Sequence, residues 1–167
     1  MGDCMNKQTT SSEERWRRSP KLRDDVFNVM RKEDGVLNPS SVIATVDEDG
    51  SPHTAPFGSL HAVTPTAMRF VIHRYHDTLA NVLRDERVMV CLVCPPDIAI
   101  SVKGRAKVID NPWRVDERYA LTEITIDEVK NDMPISIGID SGINISATGP
   151  FQEWWTACWK KLQESAD

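Results

Sequence analysis

Two cysteines have a spacing that could support redox or metal chemistry. Cys91 and Cys94 form a CxxC pair, the spacing found in thiol redox and zinc motifs. They lie inside an apolar run typical of a strand, where residues three apart face opposite ways. A zinc site also needs a second ligand pair at a matching spacing, and the sequence has none. We therefore interpret them as two buried strand cysteines.

The histidines are the second group that could bind a metal. His53, His61, His73 and His76 fall within 24 positions. None of them has the i, i+4 spacing that places two ligands on one helix face, although His53 and His61 can share a strand face. We expect ordinary hydrogen-bonded histidines here and no metal.

Several common enzyme signatures are missing from the sequence. It contains no GxGxxG, GxxxxGK[ST], GxSxG or HExxH motif. No residue stands out as a general acid or base with a positioned partner. Any reaction would therefore depend on chemistry that a cofactor supplies.

Composition restricts the class of protein further. The 167 residues are 40% hydrophobic and 27% charged, which suffices for one packed core. A net charge of −5 is the wrong sign for a nucleic-acid partner. The apolar run at 88–96 is too short to span a membrane, and residues 1–6 lack the apolar stretch of a signal peptide. We expect a cytoplasmic protein whose cysteines are free thiols.

Three helices are predicted. Apolar residues at helical spacing indicate a helix over 21–34, with Gly35 as its left-handed cap. Asp77 can cap a short helix that ends near Asp85. A third helix over 151–163 follows Gly149-Pro150 and carries Trp154, Trp155 and Trp159. Their helical spacing, and the size of Trp113, favour a role in packing at the core or at a dimer interface. A second hypothesis places Trp154 or Trp155 near a cofactor.

The rest of the chain is rich in strand patterns. We predict a flexible tail over 1–20 and a single domain over 21–167 that ends in the terminal helix. Residues 118–129 fit a strand or the end of a helix, and 135–145 fit a strand or an ordered loop. The fold class is mainly β with flanking helices (α+β), with antiparallel strands closing into a small barrel. The other predicted strands are 41–46, 53–60, 68–73, 87–93 and 98–109, the fifth with a bulge or close approach at Gly104.

Three linked segments of this chain resemble the FMN-binding split β-barrel family. They are Val42–Gly58, Arg69–Arg74 and Thr78–Val88, with a weaker continuation to residue 109. The family includes pyridoxamine 5'-phosphate oxidase and small flavoproteins related to flavin reductases. The resemblance implies a split barrel with Greek-key-like strands. It also implies a homodimer that holds FMN in two grooves at the subunit interface.

The resemblance also implies which residues contact the cofactor. The end of the third strand and the start of the following helix would bind the phosphate and ribityl chain, since a helix N-terminus offers amides and a favourable dipole. These residues are Ile72, His73, Arg74, Thr78 and Asn81. The flavin ring would lie against a second strand, where Gly58 lets the backbone come close. Its residues are Thr54, Ala55, Pro56, Phe57, Gly58 and Ser59.

One departure from the family pattern concerns charge. Relatives commonly have Lys near the phosphate, whereas this chain has Asp77, which would repel a phosphate and compete for the same amides. Arg74, Lys103 or Arg105 could compensate.

From the resemblance we expect an FMN-dependent oxidoreductase with a small-molecule redox partner. Two alternatives stay open: a non-catalytic binding or storage protein for flavin, deazaflavin or haem, and a dimeric interaction domain without cofactor.

Overall fold

Alternating buried and exposed residues along the strands build one antiparallel sheet of eight strands. The computed structural model describes residues 16–164. The strands are β1 Arg18–Ser19, β2 Ser41–Val46, β3 Pro52–Phe57, β4 His61–Thr64, β5 Ala67–His73, β6 Arg87–Cys94, β7 Ile98–Asp110 and β8 Tyr119–Asn131. In β2, β3, β6 and β7 buried residues recur at every second position, as a half-buried sheet requires.

The strand order leaves β3 and β4 at the two ends of the sheet. It runs β3-β2-β6-β7-β8-β5-β4, with β1 added beside β8. The inward side chains form one core that includes Ile43, Phe70, Val90 and Ile124. The architecture is the predicted α+β split barrel, mostly antiparallel and flanked by helices.

Three α-helices accompany the sheet: α1 Asp24–Met30, α2 Asp77–Arg84 and α3 Gly149–Glu164. The predicted helix over 21–34 is too long, because the chain leaves α-helical geometry after Met30. Lys32 and Asp34 have positive φ angles there, and a short 3₁₀ turn spans Glu33–Gly35. Gly35 has the predicted left-handed conformation, with φ of 70°, at the end of that turn.

Other predicted boundaries also change. The end of the predicted tail, Arg18–Ser19, pairs with β8, whereas residues 1–15 lie outside the described part. The segment 118–129 is a strand, and 135–145 is a loop without strand pairing. The predicted strand over 53–60 stops at Phe57, and the sequence pattern does not predict the four-residue β4. The third helix begins at Gly149, earlier than predicted, because Pro150 suits the first turn of a helix.

Gly104 marks a close approach between β7 and β8, as predicted. The pairing register shifts between Lys103 and Gly104. A Cβ at Gly104 would lie 2.5 Å from the carbonyl oxygen of Thr125. Only glycine allows the two backbones to come this close.

Helix α3 packs on the outer side of β5 and β8 and creates a second core. Trp155 is 1% exposed and Trp159 7% exposed, so the predicted packing role of these tryptophans is confirmed. Trp113 joins the same cluster. Strand β5 is therefore buried on both faces, with Phe70 inside the barrel and Val71 beneath α3.

The cysteines of β6 differ from the prediction. Cys91 is exposed and Cys94 is half-buried, because odd-numbered residues in the first part of β6 face outward. The expectation of two buried cysteines is wrong. Both are free thiols, as is the buried Cys158.

Candidate functional site

The end of β5 and the start of α2 form a tight turn with an unexpected cap. His76 is the N-cap residue, and its Nδ1 accepts a hydrogen bond from the Thr78 amide at 3.2 Å. The predicted cap, Asp77, is instead the first residue of the helix, where its charge complements the helix dipole. Asp77 therefore does not cap the amides of this turn.

Arg74 is the cation of this turn. Its side chain is exposed, and its only hydrogen bond within the described residues is a long one of 3.4 Å to the Glu117 carbonyl. Its backbone amide is fixed by the carbonyl of Arg118 at 2.9 Å. The backbone is thus held in place while most guanidinium donors stay available for an anion.

Two further residues predicted at the cofactor are buried under the turn. The Thr78 Oγ1 is enclosed and has no hydrogen-bond partner in the part of the chain that the structure describes. Asn81 donates to Thr45 Oγ1 at 3.0 Å and to Asp47 Oδ1 at 2.6 Å, and its own Oδ1 accepts from Arg84 at 2.8 Å. Both amide hydrogens of Asn81 are therefore used to hold α2 against the β2–β3 hairpin.

A group of rings connects this turn to β3. The His53 and His76 ring centroids are 6.3 Å apart, and Phe57 lies 5.7 Å from His76. His53 Nδ1 stands 3.8 Å from Asp47 Oδ1. His53 Nε2 is enclosed and lacks a partner among residues 16–164. The start of β3 and the start of α2 therefore face each other through these rings.

Strand β3 lies at one end of the sheet and has β2 as its only neighbour in the described sheet. Pro52 and Pro56 have no amide hydrogen, so their positions must face the free edge and not the ladder with β2. Thr54 shares their parity and is exposed. Within β3 the Thr54 N–H is then the amide donor that the free edge offers.

The other residues predicted to contact the flavin either point into the core or are covered by other parts of the chain. The side chains of Ala55, Phe57 and Ile72 belong to the core, so only their backbones could reach a ligand. A Cβ on Gly58 would lie 2.5 Å from Ile145 Cδ1 and 3.2 Å from Leu37 Cβ. The close approach at Gly58 is thus made by the chain itself, which removes the reason for assigning this glycine to a flavin.

Ser59 and Lys103 complete the predicted set. Ser59 Oγ accepts from the Val71 amide at 3.2 Å and ties the chain after β3 to β5. Lys103 is exposed on the outer face of β7, with Glu128 Oε1 at 3.9 Å from its Nζ. The cross-strand pairs place it in one row with Met89, Ala44 and Thr54, which crosses the four strands β7, β6, β2 and β3.

A buried lysine that sequence reasoning missed supports this end of β3. Lys32 is 3% exposed, and its Nζ donates to the carbonyls of Gly58 and Leu37 at 2.9 and 3.0 Å. Burial lowers the pKa of the Lys32 ammonium to about 7. A neutral amine still has two hydrogens, enough for both carbonyls.

Lys32→Met is expected to remove a pH dependence of stability. Folding lowers the Lys32 pKa from 10.5 to about 7, so the unfolded chain binds more protons between these values. The contribution of Lys32 to the free energy of unfolding therefore rises with pH through this window. Urea unfolding of both proteins at about pH 6 and about pH 9 measures it. The stability difference should move in favour of wild type at the higher pH, and an unchanged difference contradicts the assignment.

The residues at the β5–α2 turn fit the phosphate of a flavin nucleotide in charge and hydrogen bonding. Arg74 supplies an exposed cation whose donors are largely unused, whereas Thr78 Oγ1 and His53 Nε2 are enclosed by the chain and do not face a ligand in this arrangement. Asp77 is the one acidic group of the first turn of α2. The turn could therefore hold an anionic group beside the free edge of β3.

Comparison with protein families agrees with the fold. Residues 37–132 match the model of the pyridoxamine 5'-phosphate oxidase family, which is more than half of the chain. The chain belongs to this family. No curated protein matches the sequence.

Several solved structures share the fold. A candidate pyridoxamine 5'-phosphate oxidase from Lactobacillus delbrueckii has a TM-score of 0.56 and 20% identity, covering 68% of this chain and 98% of its own. A single-residue variant of HupZ from Group A Streptococcus has a TM-score of 0.52 and 15% identity over 66% and 98%. An F420 reductase reaches 0.50 at 12% identity over 62% and 94%. At these identities the likeness establishes the architecture.

Two further observations concern the residues that the structure describes. No helix among them is long and apolar enough to cross a membrane. The same residues contain no cluster of three or more histidine, cysteine or acidic side chains arranged to hold a metal.

Proposed function

We propose that this protein is a homodimeric, FMN-dependent oxidoreductase that passes electrons to a small molecule. The observation that carries the proposal is the β5–α2 turn, where the guanidinium of Arg74 is largely unpaired and the His76 ring lies 5.7 Å from Phe57 of the edge strand β3. Membership of the pyridoxamine 5'-phosphate oxidase family supports the same function.

Each part of the site has a distinct role in this proposal. Arg74 would hold the FMN phosphate through charge-assisted hydrogen bonds. The Thr54 N–H would donate to the polar edge of the ring, and Asn81 would keep α2 in position. When bound, FMN supplies the two-electron chemistry that no side chain of this protein provides.

The proposed dimer rests on an apolar outer face. Val42 and Ala44 of β2 are half-buried, Met89 of β6 is 38% exposed and Cys91 is exposed. Cross-strand pairing aligns Val42 with Cys91 and Ala44 with Met89 on this one face. A second copy that covers the face would remove apolar surface from water and create a groove along β3.

An absorption spectrum of the purified protein tests the cofactor. A flavin absorption band at about 450 nm that disappears when NADPH is added supports the oxidoreductase. A yellow protein that does not bleach favours storage, and deazaflavin or haem would show different bands. A colourless protein that ignores added FMN overturns the proposal and favours the interaction domain.

Arg74→Ala is expected to weaken FMN binding by about 1–3 kcal/mol, because a charge-assisted contact with the phosphate is lost. Fluorescence titration of the apoprotein with FMN measures the affinity. Arg23→Ala is the matched control, since Arg23 is exposed and stacks on Trp16 near α1. Equal affinities for wild type and Arg74→Ala would remove Arg74 from the site.

Met89→Glu is expected to convert the dimer into a monomer, because burial of a carboxylate at the centre of the outer face costs free energy even beside its cross-strand neighbour Lys103. Light scattering after size-exclusion chromatography reads the mass. Asn28→Glu adds the same charge at an exposed position of α1 and should leave the dimer intact. A dimer that persists in Met89→Glu places the interface elsewhere.

A further inference from the structure

A cavity of about 500 Å³ lies between the 3₁₀ turn, β4 and the end of α3. Its apolar walls come from Ala62, Val63, Trp159 and Leu162. None of the residues that line it belongs to the predicted flavin site. A ligand bound in this cavity would therefore be independent of the proposed function.

His61 brings a hydrogen-bond acceptor to this cavity. It is 4% exposed, and its Nδ1 lies 3.0 Å from the Ser59 carbonyl oxygen. A carbonyl only accepts, so Nδ1 carries the hydrogen and a neutral ring has a free lone pair on Nε2. Burial lowers the His61 pKa to about 4, which keeps the ring neutral near pH 7.

The Nε2 lone pair is open to the cavity. Within the described residues it has no hydrogen-bond partner, yet it is not among the enclosed polar atoms that lack one. Solvent-accessible space therefore reaches this atom, and His61 lines the cavity. The ring of Trp159 packs edge-to-face against His61 at 4.6 Å and fixes the orientation of the imidazole.

The charges around the cavity are largely balanced within the chain. Arg31 is paired with Glu33, and Arg69 Nε donates to Glu123 Oε2 at 2.8 Å. Asp34 is the remaining charged residue of the lining. Both arginines of the lining are thus compensated, and Asp34 adds a carboxylate, so the walls disfavour an anion.

We propose that this cavity is a binding site for a small molecule that carries no negative charge and has one N–H or O–H donor, which donates to His61 Nε2. The apolar walls receive the body of the ligand, with the Trp159 ring as one of them. The unpaired acceptor selects for the donor, because a ligand without one leaves Nε2 desolvated and unsatisfied.

Indole and 1-methylindole form a matched pair of probes, since they differ only in the N–H donor. Calorimetric titration of the full chain is expected to show indole binding about tenfold more tightly than 1-methylindole. In His61→Phe, which keeps an aromatic ring beside Trp159, the two probes should bind with equal affinity. Thermal unfolding of the variant checks that the fold is retained.

A second variant changes an exposed residue of the cavity lining and leaves the buried His61 in place. Val63 is 36% exposed, and Val63→Trp should fill the entrance and weaken the binding of both probes at least about tenfold. FMN binding by Val63→Trp should stay at the wild-type level, which separates this site from the flavin proposal. Absence of indole binding to wild type, equal affinities for the two probes, or unchanged binding by Val63→Trp overturns the proposal.

Discussion

Trp155→Ala lowers the free energy of unfolding by about 3–5 kcal/mol, the range for truncation of a fully buried tryptophan. Trp155 is 1% exposed at the centre of the second core, with the rings of Trp154 and Trp159 about 6 Å away. Its removal leaves a cavity between α3 and the sheet. Because this cluster attaches α3 to β5 and β8, part of the helix is expected to lose protection against hydrogen exchange.

Trp155→Phe is the control for this prediction. The Trp155 Nε1 is buried without a partner in the described part of the chain, so phenylalanine removes an unsatisfied N–H together with some volume. We expect a cost well below that of alanine. Urea unfolding followed by circular dichroism measures both variants. Similar costs for the two would mean that ring packing does not hold α3.

Gly35→Ala destabilises the protein by about 3 kcal/mol through two separate effects. The φ angle of 70° strains any residue with a Cβ by about 1–2 kcal/mol. The added Cβ would also lie 2.9 Å from Cβ and Cγ of Trp159, and overpacking of this kind costs about 1–3 kcal/mol. The 3₁₀ turn and α3 would have to move apart.

Gly50→Ala separates the two effects. Gly50 has a φ of 86° in the β2–β3 turn, but nothing lies within 4 Å of the position that an added Cβ would take. Its substitution should therefore show the backbone strain alone, about 1–2 kcal/mol. Urea midpoints of the two variants give the comparison. If Gly35→Ala costs no more than Gly50→Ala, the contact with Trp159 contributes nothing to its effect.

Most of the sheet is predictable from the sequence because local pattern and tertiary environment agree there. The pattern predicts Ser41–Val46 with its observed limits, and the strands predicted over 87–93 and 98–109 each end one residue before the observed β6 and β7. It misses β4 because four residues are too few to show a period of two. It extends the first helix too far because Gly35 is the first stop signal after Met30, whereas the backbone already turns left-handed at Lys32 and Asp34.

The candidate site is only partly predictable. Type and position identify Arg74 as an exposed cation at a strand end, and the prolines of β3 already imply its free edge. The sequence does not show that His76 replaces Asp77 as the helix cap. Nor does it show that Lys32, 26 positions away, holds the Gly58 carbonyl, since such contacts exist only once distant segments pack.

The two prolines of β3 also bear on solubility. An exposed sheet edge is a template on which strands of other molecules can assemble into fibrils. Pro52 and Pro56 leave an arriving strand with little to bind on this side of the barrel, since two of the three outward backbone nitrogens carry no hydrogen. The same edge that could serve a ligand through Thr54 is thereby a poor seed for aggregation.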